Sequence, residues 1–275
     1  MTDQYAVMGN PIAHSKSPSI HKQFAEQTGQ SLEYTAILVE KNAFPQAVDE
    51  FQSKGGKGLN ITVPFKEEAW HCVTERSKRA ELAGAVNTIV FHEDGTRFGD
   101  NTDGAGLIND IVKNNHGQIA GHHILVVGAG GATRGIVGPL LDEKPAQLVI
   151  ANRTAERAVL LAEQFLSIGN VRGCGLNQLG DQKFDVVINA TAASLQGELP
   201  SLPENIFATD GWCYDLMYGA DPTPFMQWSK QQGAVVMLDG LGMLVEQAAE
   251  SFYLWRGVRP ETGQLLSSLR DALRN

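Results

Sequence analysis

His123-Ile124-Leu125-Val126-Val127-Gly128-Ala129-Gly130-Gly131-Ala132-Thr133-Arg134 is the stretch whose reading decides the fold. The continuous apolar run at its start reads as a strand covered on both faces, as parallel sheets require. It feeds directly into glycines, which let a backbone turn tightly and approach a phosphate whose charge rests on the N–H groups opening the next helix. The literal G-x-G-x-x-G/A pattern fails at its last position, where Thr133 stands. A glycine turn between strand and helix also occurs for packing alone, so the context carries the reading. A helix follows, then strand Leu148–Ala151, with further strands expected at Val171–Cys174, Asp185–Asn189, Trp212–Tyr214 and Ala234–Leu238. That alternation predicts a doubly wound α/β sheet of the Rossmann type.

The second strand of this unit ends at Asn152, 24 residues beyond Gly128. Dinucleotide-binding sheets place an acid for the ribose 2′-hydroxyl about 20 residues after the glycine turn. No acid stands there; the sequence reads Asn152-Arg153-Thr154, with Arg157 one turn later. A planar guanidinium suits a 2′-phosphate, whereas an acid would repel it. Two solvated arginines at a helix start are the bland alternative, but arginine is mildly unfavourable at the positive end of a helix dipole. The pattern favours NADP over NAD.

Upstream, strands are expected at Tyr5–Met8, Leu32–Val39 and Leu59–Val63, with helices from Ser17 to about Gly29, over Ala43–Lys54 and over Lys66–Val73. Ser17 reads as the N-cap of its helix with Pro18 at the first helical position. Val86–Phe91 and Thr96–Gly99, joined through His92-Glu93-Asp94-Gly95, predict a hairpin at one sheet edge. The result is a mainly parallel α/β unit, followed by a helix over Ala105–Asn115. Ligands of open α/β sheets bind beyond the carboxyl ends of the strands. Three polar groups of segments lie at such ends: His14-Ser15-Lys16-Ser17-Pro18, Asn60 to Lys66, and Asn87 with Asp100-Asn101-Thr102-Asp103-Gly104. Ser15 and Ser17 alternate in an extended stretch, so both hydroxyls can donate to one carboxylate. Lys66 opens a helix just past Pro64, where the dipole offers a structural lysine nothing, which favours a functional role. Asp103 before Gly104 reads equally as a helix N-cap or as a functional carboxylate.

Composition bounds the partners. The 275 residues carry 22 Lys and Arg against 31 Asp and Glu, a net charge of -9 that repels nucleic-acid backbones and anionic membrane surfaces. Neither half is a basic module, so an anionic ligand must be met by a local site. No run approaches the roughly 18 apolar residues of a membrane span, and no leader pattern precedes Tyr5, so a cytoplasmic chain is expected. Cys72, Cys174 and Cys213 lie far apart and form no metal-ligand spacing; they read as buried thiols, and no metal is expected.

The segments Gly9-Asn10-Pro11-Ile12, His14-Ser15-Lys16-Ser17-Pro18, Asn60-Ile61-Thr62-Val63-Pro64-Phe65-Lys66, Gly84-Ala85-Val86-Asn87-Thr88 and Gly99-Asp100-Asn101-Thr102-Asp103-Gly104 recur in a known order. After them come the glycine loop, Asn152-Arg153-Thr154, Asn189-Ala190-Thr191 and Asp239-Gly240-Leu241-Gly242-Met243-Leu244. Through these the chain resembles the shikimate dehydrogenase family over essentially its whole length. The resemblance implies reversible hydride transfer between C3 of shikimate and NADP, on the route to chorismate and the aromatic amino acids. It implies that Ser15, Ser17 and Tyr218 contact the substrate carboxylate and that Thr62, Lys66, Asn87, Asp103 and Gln247 meet the ring hydroxyls. Lys66 and Asp103 would then be catalytic, as a hydrogen-bonded clamp on the reacting hydroxyl, with Lys66 the proposed acid/base. Gly128, Ala129, Gly130, Gly131, Ala132, Asn152, Arg153, Thr154, Arg157, Ala190, Leu216 and Gly240 would surround the cofactor. Thr133 and the Ala192-Ala193-Ser194 run depart from the family pattern and bear on the shape of the cofactor pocket.

Two domains follow: residues 1–102 plus 241–275 for the substrate, and 103–240 for the cofactor, with the C-terminal helices returning to the first. A quinate/shikimate dehydrogenase with NAD use is the nearest alternative, and its NAD-using forms should carry an acid near Asn152. A non-catalytic metabolite sensor on the same fold is the alternative of another class; Lys66 and Asp103 speak against it. Both monomer and homodimer are compatible with the sequence.

Overall fold

The computed structural model describes residues 2–274, the side chains of 195 and 196 excepted. The first sheet is built from β1 (Asp3–Gly9), β2 (Leu32–Leu38), β3 (Gly56–Ile61), β4 (Glu75–Arg76), β5 (Thr88–Phe91) and β6 (Arg97–Asp100), in the order β2-β1-β3-β5-β6-β4. Its helices are α1 (Ser17–Thr28), α2 (Phe44–Ser53), α3 (Lys66–Cys72) and α4 (Lys78–Ala83). After α5 (Asp103–Asn109) comes the second sheet: β7 (His123–Val127), β8 (Gln147–Asn152), β9 (Val171–Gly175), β10 (Phe184–Asn189), β11 (Phe207–Asp215) and β12 (Val236–Asp239), ordered β12-β11-β10-β7-β8-β9 and parallel throughout. Its helices are α6 (Gly131–Asp142), α7 (Ala155–Glu163) and α8 (Pro224–Gln231); α9 (Leu241–Arg256) and α10 (Gly263–Arg274) end the chain.

The expected strands are all present, and the differences have local causes. β5 and β6 pair antiparallel as a hairpin, but the two-residue β4 pairs outside β6, so the hairpin lies one strand in from the edge. A strand that short leaves no alternation to read, and α4 beside it is a six-residue helix capped by the Ser77 hydroxyl. The helix expected to reach Asn115 is α-helical only to Asn109 and then widens into a π turn over Asp110–Asn114. Ser17 is not a cap: Lys16 occupies that position, the Ser17 N–H donates to Ser15 Oγ at 3.3 Å, and Ile12–Ser15 forms a turn instead of an extended stretch. Asp103 is not a cap either. Thr102 holds that position, and the Asp103 carboxylate points to partners outside the helix.

The central strand β7 is buried because it is flanked by β8 and β10 and covered on both faces, with Ile124 to Val127 almost wholly out of solvent. Burying such a side chain contributes about 1.5–3 kcal/mol. α9 crosses back to the first sheet, packing Val245, Ala248 and Phe252 against Ile20 and Phe24 of α1. α5 lies between α9 and α6 and is thin enough to do so because of glycine: a Cβ at Gly106 would fall 2.8 Å from the backbone of Met243 and Gln247 on α9. Among the described residues no helix is long and apolar enough to cross a membrane.

His21 of α1 is wholly enclosed, stacked on Tyr34 at 4.3 Å between ring centres and 5.2 Å from Trp255. Neither ring nitrogen completes a well-formed hydrogen bond among the described residues. Burial pushes its pKa down to about 3, with Asn60 opposing part of the shift. A group whose folded pKa is depressed stabilises the fold above its unfolded pKa of 6.5 and loses that contribution as pH falls toward 3. Native stability should therefore fall more steeply than that of His21→Phe between pH 7 and pH 4, by roughly 3 kcal/mol. Urea melts at a series of pH values check this, and parallel curves would remove His21 from the acid response.

Candidate active site

The carboxyl ends of both sheets open onto a cleft of about 520 Å³. Its walls include Ser15 from the turn before α1, Ser17 at the start of α1, Thr62 past the end of β3, and Lys66 at the first position of α3. Asn87 before β5, Asp103 at the start of α5, Tyr218 after β11 and Gln247 on α9 complete the expected substrate set. All eight line this one cleft. Leu216 and Gly240, expected beside the cofactor, line it too, at the rim contributed by the second sheet.

Lys66 Nζ lies 2.6 Å from Asp103 Oδ2, and Asn87 Nδ2 donates to Asp103 Oδ1 at 2.7 Å. Both carboxylate oxygens are thus engaged, by a cation on one side and an amide on the other. Asn87 is itself immobilised: its Oδ1 accepts from the Thr102 N–H at 2.9 Å and from the Thr88 hydroxyl at 2.9 Å. Behind it, Asn60 Nδ2 donates to Ser251 Oγ at 3.0 Å and Thr88 Oγ1 at 3.1 Å, while Asn60 Oδ1 accepts from Tyr34 at 2.7 Å. The Ser17 hydroxyl lies beside the Tyr34 phenol, whose pKa burial raises well above the ordinary value. Tyr218 is half-buried, and its phenol is pushed up by burial and then by the charge of Asp239.

The glycine turn joins β7 to α6 as expected. Gly128 has φ +109°, a region that L side chains rarely adopt, and a Cβ there would press on Ala190 and Thr191. A Cβ at Gly130 or Gly131 would meet nothing within 4 Å, and the first turn of α6 carries no acid. Open space over exposed backbone at a positive helix end fits a pyrophosphate. Thr133 explains the imperfect motif: it is fully buried and its hydroxyl donates to the Gly128 carbonyl at 2.9 Å, bracing the turn from inside.

Gly128, Asn152 and Arg153 line a second cleft of about 580 Å³ that continues past Thr191 to Pro200. Ala129 and Ala132 belong to the same turn, Thr154 caps α7, Arg157 lies in its first turn, and the Ala190 N–H donates to Val127 at 2.9 Å. Arg153 and Arg157 are exposed and in no ion pair among the described residues. Asn152 Nδ2 donates to the Thr154 carbonyl at 2.9 Å, shaping the turn that presents them. Asp215 went unread in the sequence. Fully buried at the end of β11, it accepts from Ser194 and Thr223 at 2.6 Å and from Asn189 at 3.1 Å, joining the 191–194 loop to Leu216. Burial raises its pKa against those hydrogen bonds. No local motif marks a carboxylate whose partners lie up to 26 residues away.

Comparison with known proteins identifies the family. Family models described as shikimate dehydrogenase substrate binding domain, shikimate/quinate 5-dehydrogenase and shikimate 5'-dehydrogenase C-terminal domain match residues 7–89, 110–196 and 240–270. A shikimate dehydrogenase (NADP(+)) of Cellvibrio japonicus is 58% identical over 99% of both chains, and one of Nitrosococcus oceani is 53% identical over 98% of this chain and 96% of its own. Among solved structures, an Ael1 enzyme from Pseudomonas putida superposes with a TM-score of 0.91 at 44% identity, covering 98% of each chain. A shikimate 5-dehydrogenase from Thermus thermophilus in complex with NADP(H) and shikimate superposes with a TM-score of 0.88 at 32% identity, covering 99% of this chain and 100% of that one.

The network behind the cleft makes a stability prediction. Asn60→Ala takes the acceptor from the buried Tyr34 hydroxyl and one donor each from Ser251 and Thr88, which keep each other and Asn87 as partners, at a cost of about 1–3 kcal/mol. Chemical denaturation checks this; a loss below about 0.5 kcal/mol would show that the network rearranges around the gap.

Proposed function

The chain belongs to the shikimate dehydrogenase family, and from that premise we propose that its cleft carries out the reversible, NADPH-dependent reduction of 3-dehydroshikimate to shikimate. The observation that carries this reading is the Lys66–Asp103 pair at 2.6 Å on the wall of a cleft that Ser15 and Ser17 also line. Two hydroxyl donors beside a helix N-terminus suit a carboxylate, and the pair suits a ketone oxygen in the same cleft.

NADPH, when bound along the glycine turn, supplies the hydride. Gly128 to Ala132 would hold its pyrophosphate, and Arg153 with Arg157 its 2′-phosphate, with Asn152 and Thr154 shaping that corner and Ala190, Leu216 and Gly240 bordering the ring. The chain's own residues handle the proton. The Lys66 ammonium donates to the C3 oxygen as negative charge develops there, and takes a proton back from that oxygen in the reverse direction. Asp103 holds Lys66 in place and accepts a hydrogen bond from the ring. Asn87, whose amide is locked by Thr102 and Thr88, keeps the Asp103 carboxylate from turning away. Thr62 and Gln247 meet the remaining hydroxyls, and Tyr218 with Ser15 and Ser17 the carboxylate.

The relatives named for NADP(+) and the absence of an acid at Asn152-Arg153-Thr154 favour this reading over one with NAD and quinate. The same proposal includes a division into 1–102 plus 241–275 and 103–240, supported by the packing of α9 on α1, β3 and β5. It also includes work in the cytoplasm, supported by three unpaired cysteines.

Lys66→Ala should lower kcat for shikimate oxidation by a hundredfold or more, on the order of 3 kcal/mol, with a smaller change in KM for shikimate. Near-normal turnover would remove Lys66 from the chemistry. Arg153→Ala should weaken NADP+ far more than NAD+ in paired initial-rate series, since NADP+ alone carries a 2′-phosphate. Equal losses for both cofactors would sink the phosphate assignment.

A further inference from the structure

Asp100 ends β6 three residues before Asp103 and is 3% exposed. Its carboxylate gathers four donors: Nε and Nη2 of Arg79 at 2.7 and 2.6 Å, the Asn101 N–H at 2.7 Å, and the Ser77 hydroxyl. From there the backbone is pinned residue by residue. Asn101 Nδ2 donates to the Ala85 carbonyl at 3.1 Å, and Asn101 Oδ1 accepts from the Asp103 N–H at 3.2 Å. Arg79 also reaches a second element, donating through Nη2 to Glu250 Oε1 of α9 at 3.0 Å. The other Glu250 oxygen accepts from Arg259 at 2.7 Å. Glu250 is three residues beyond Gln247, one turn along the same helix face. A single guanidinium thus joins the segment that presents Asp103 to the helix that presents Gln247, although neither Arg79 nor Glu250 lines the cleft.

We propose that Arg79 is a positioning residue for the reaction: its two-pronged hold on Asp100 and its bridge to Glu250 set the placement of Asp103 relative to Gln247, the two meeting at the Asn87 amide. This rests on the reading above, in which both groups hold the substrate. The planar fork is essential because three donor directions are used at fixed angles, which a lysine ammonium on a flexible stem cannot reproduce. Stability is the weaker explanation for this four-charge network. Interior ion pairs are often replaceable by apolar groups without loss of stability, and α4 is also held by the buried Ala80 and Ala83. Displacements of the order of 1 Å at a catalytic group suffice to cost large factors in rate.

The test compares native protein with Arg79→Lys, Arg79→Gln and Glu250→Gln, the last retaining an acceptor for the guanidinium. Arg79→Lys should lower kcat for shikimate oxidation about tenfold and Arg79→Gln more, while Glu250→Gln stays within about threefold. The Kd of NADP+ from fluorescence titration should stay within about twofold in all three. Deuterium at C3 of shikimate should show a larger isotope effect on kcat in the Arg79 variants, as hydride transfer becomes rate-limiting. Should Arg79→Gln fail to fold, Arg79→Lys carries the comparison. Native kcat in a folded Arg79 variant, or parallel weakening of NADP+ and shikimate, would overturn the proposal. A native protein that makes no NADPH from shikimate would overturn the functional reading and this inference with it; an active native enzyme with indifferent Arg79 variants overturns this inference alone.

Discussion

A carboxylate almost wholly removed from water must be matched by donors, and Asp103 meets that constraint from two directions, with Lys66 at 2.6 Å and Asn87 at 2.7 Å. Leaving one such group unpaired costs several kcal/mol, so the fold around it has little freedom. Lys66 must open α3 where β3 ends, Asn87 must precede β5, and Asp103 must begin α5. Three segments separated by up to 37 residues are thereby brought to one point. The hydroxyls and amides behind them extend the same requirement inward, through Thr88, Ser251 and Asn60 to Tyr34.

α5 transmits this constraint between the two sheets. It starts at Asp103, packs on α9 through Gly106 and lies against α6, the helix that follows the glycine turn. A bulkier helix would hold the phosphate-binding turn further from Lys66. The chain's overall charge of -9 is compatible with anionic ligands for a related reason, since what the ligand meets is local. The first turns of α1 and α6 carry no acid, and Arg153 and Arg157 stand exposed beyond β8. At the screening length of about 8 Å in physiological salt, those groups outweigh distant surface carboxylates.

Much of the fold was legible because strands buried on both faces write themselves as apolar runs, and because glycine, proline and Asp-Gly mark where runs stop. Lys66 was legible for the opposite reason: it stands at a helix start where dipole physics gives a lysine nothing. The misreading of Ser17 as a cap, and the two readings open at Asp103, share a cause. Both have the residue type of a helix cap, and capping is a local inference. In the structure Lys16 takes the cap position and Ser17 is already helical, while Asp103 engages Lys66, a partner distant in sequence, with Thr102 as the cap. The two-residue β4 and six-residue α4 were too short to show a period, and the π turn at Asp110–Asn114 leaves no mark in composition.

By itself the sequence determined the alternation of strand and helix, the phosphate-binding turn, the missing ribose acid and the polar segments at strand ends. Each of these is written in neighbouring residues, through periodicity of side chains or the backbone demands of glycine and proline. Tertiary structure alone decided which polar groups meet. The pairing of Lys66 with Asp103, the four donors on Asp100, the bridge from Arg79 to Glu250 and the hub at Asp215 all join residues that no local rule connects. The physical reason is that a hydrogen bond or ion pair depends on a few ångströms in space. Sequence separation leaves that distance open until the sheets and helices have packed.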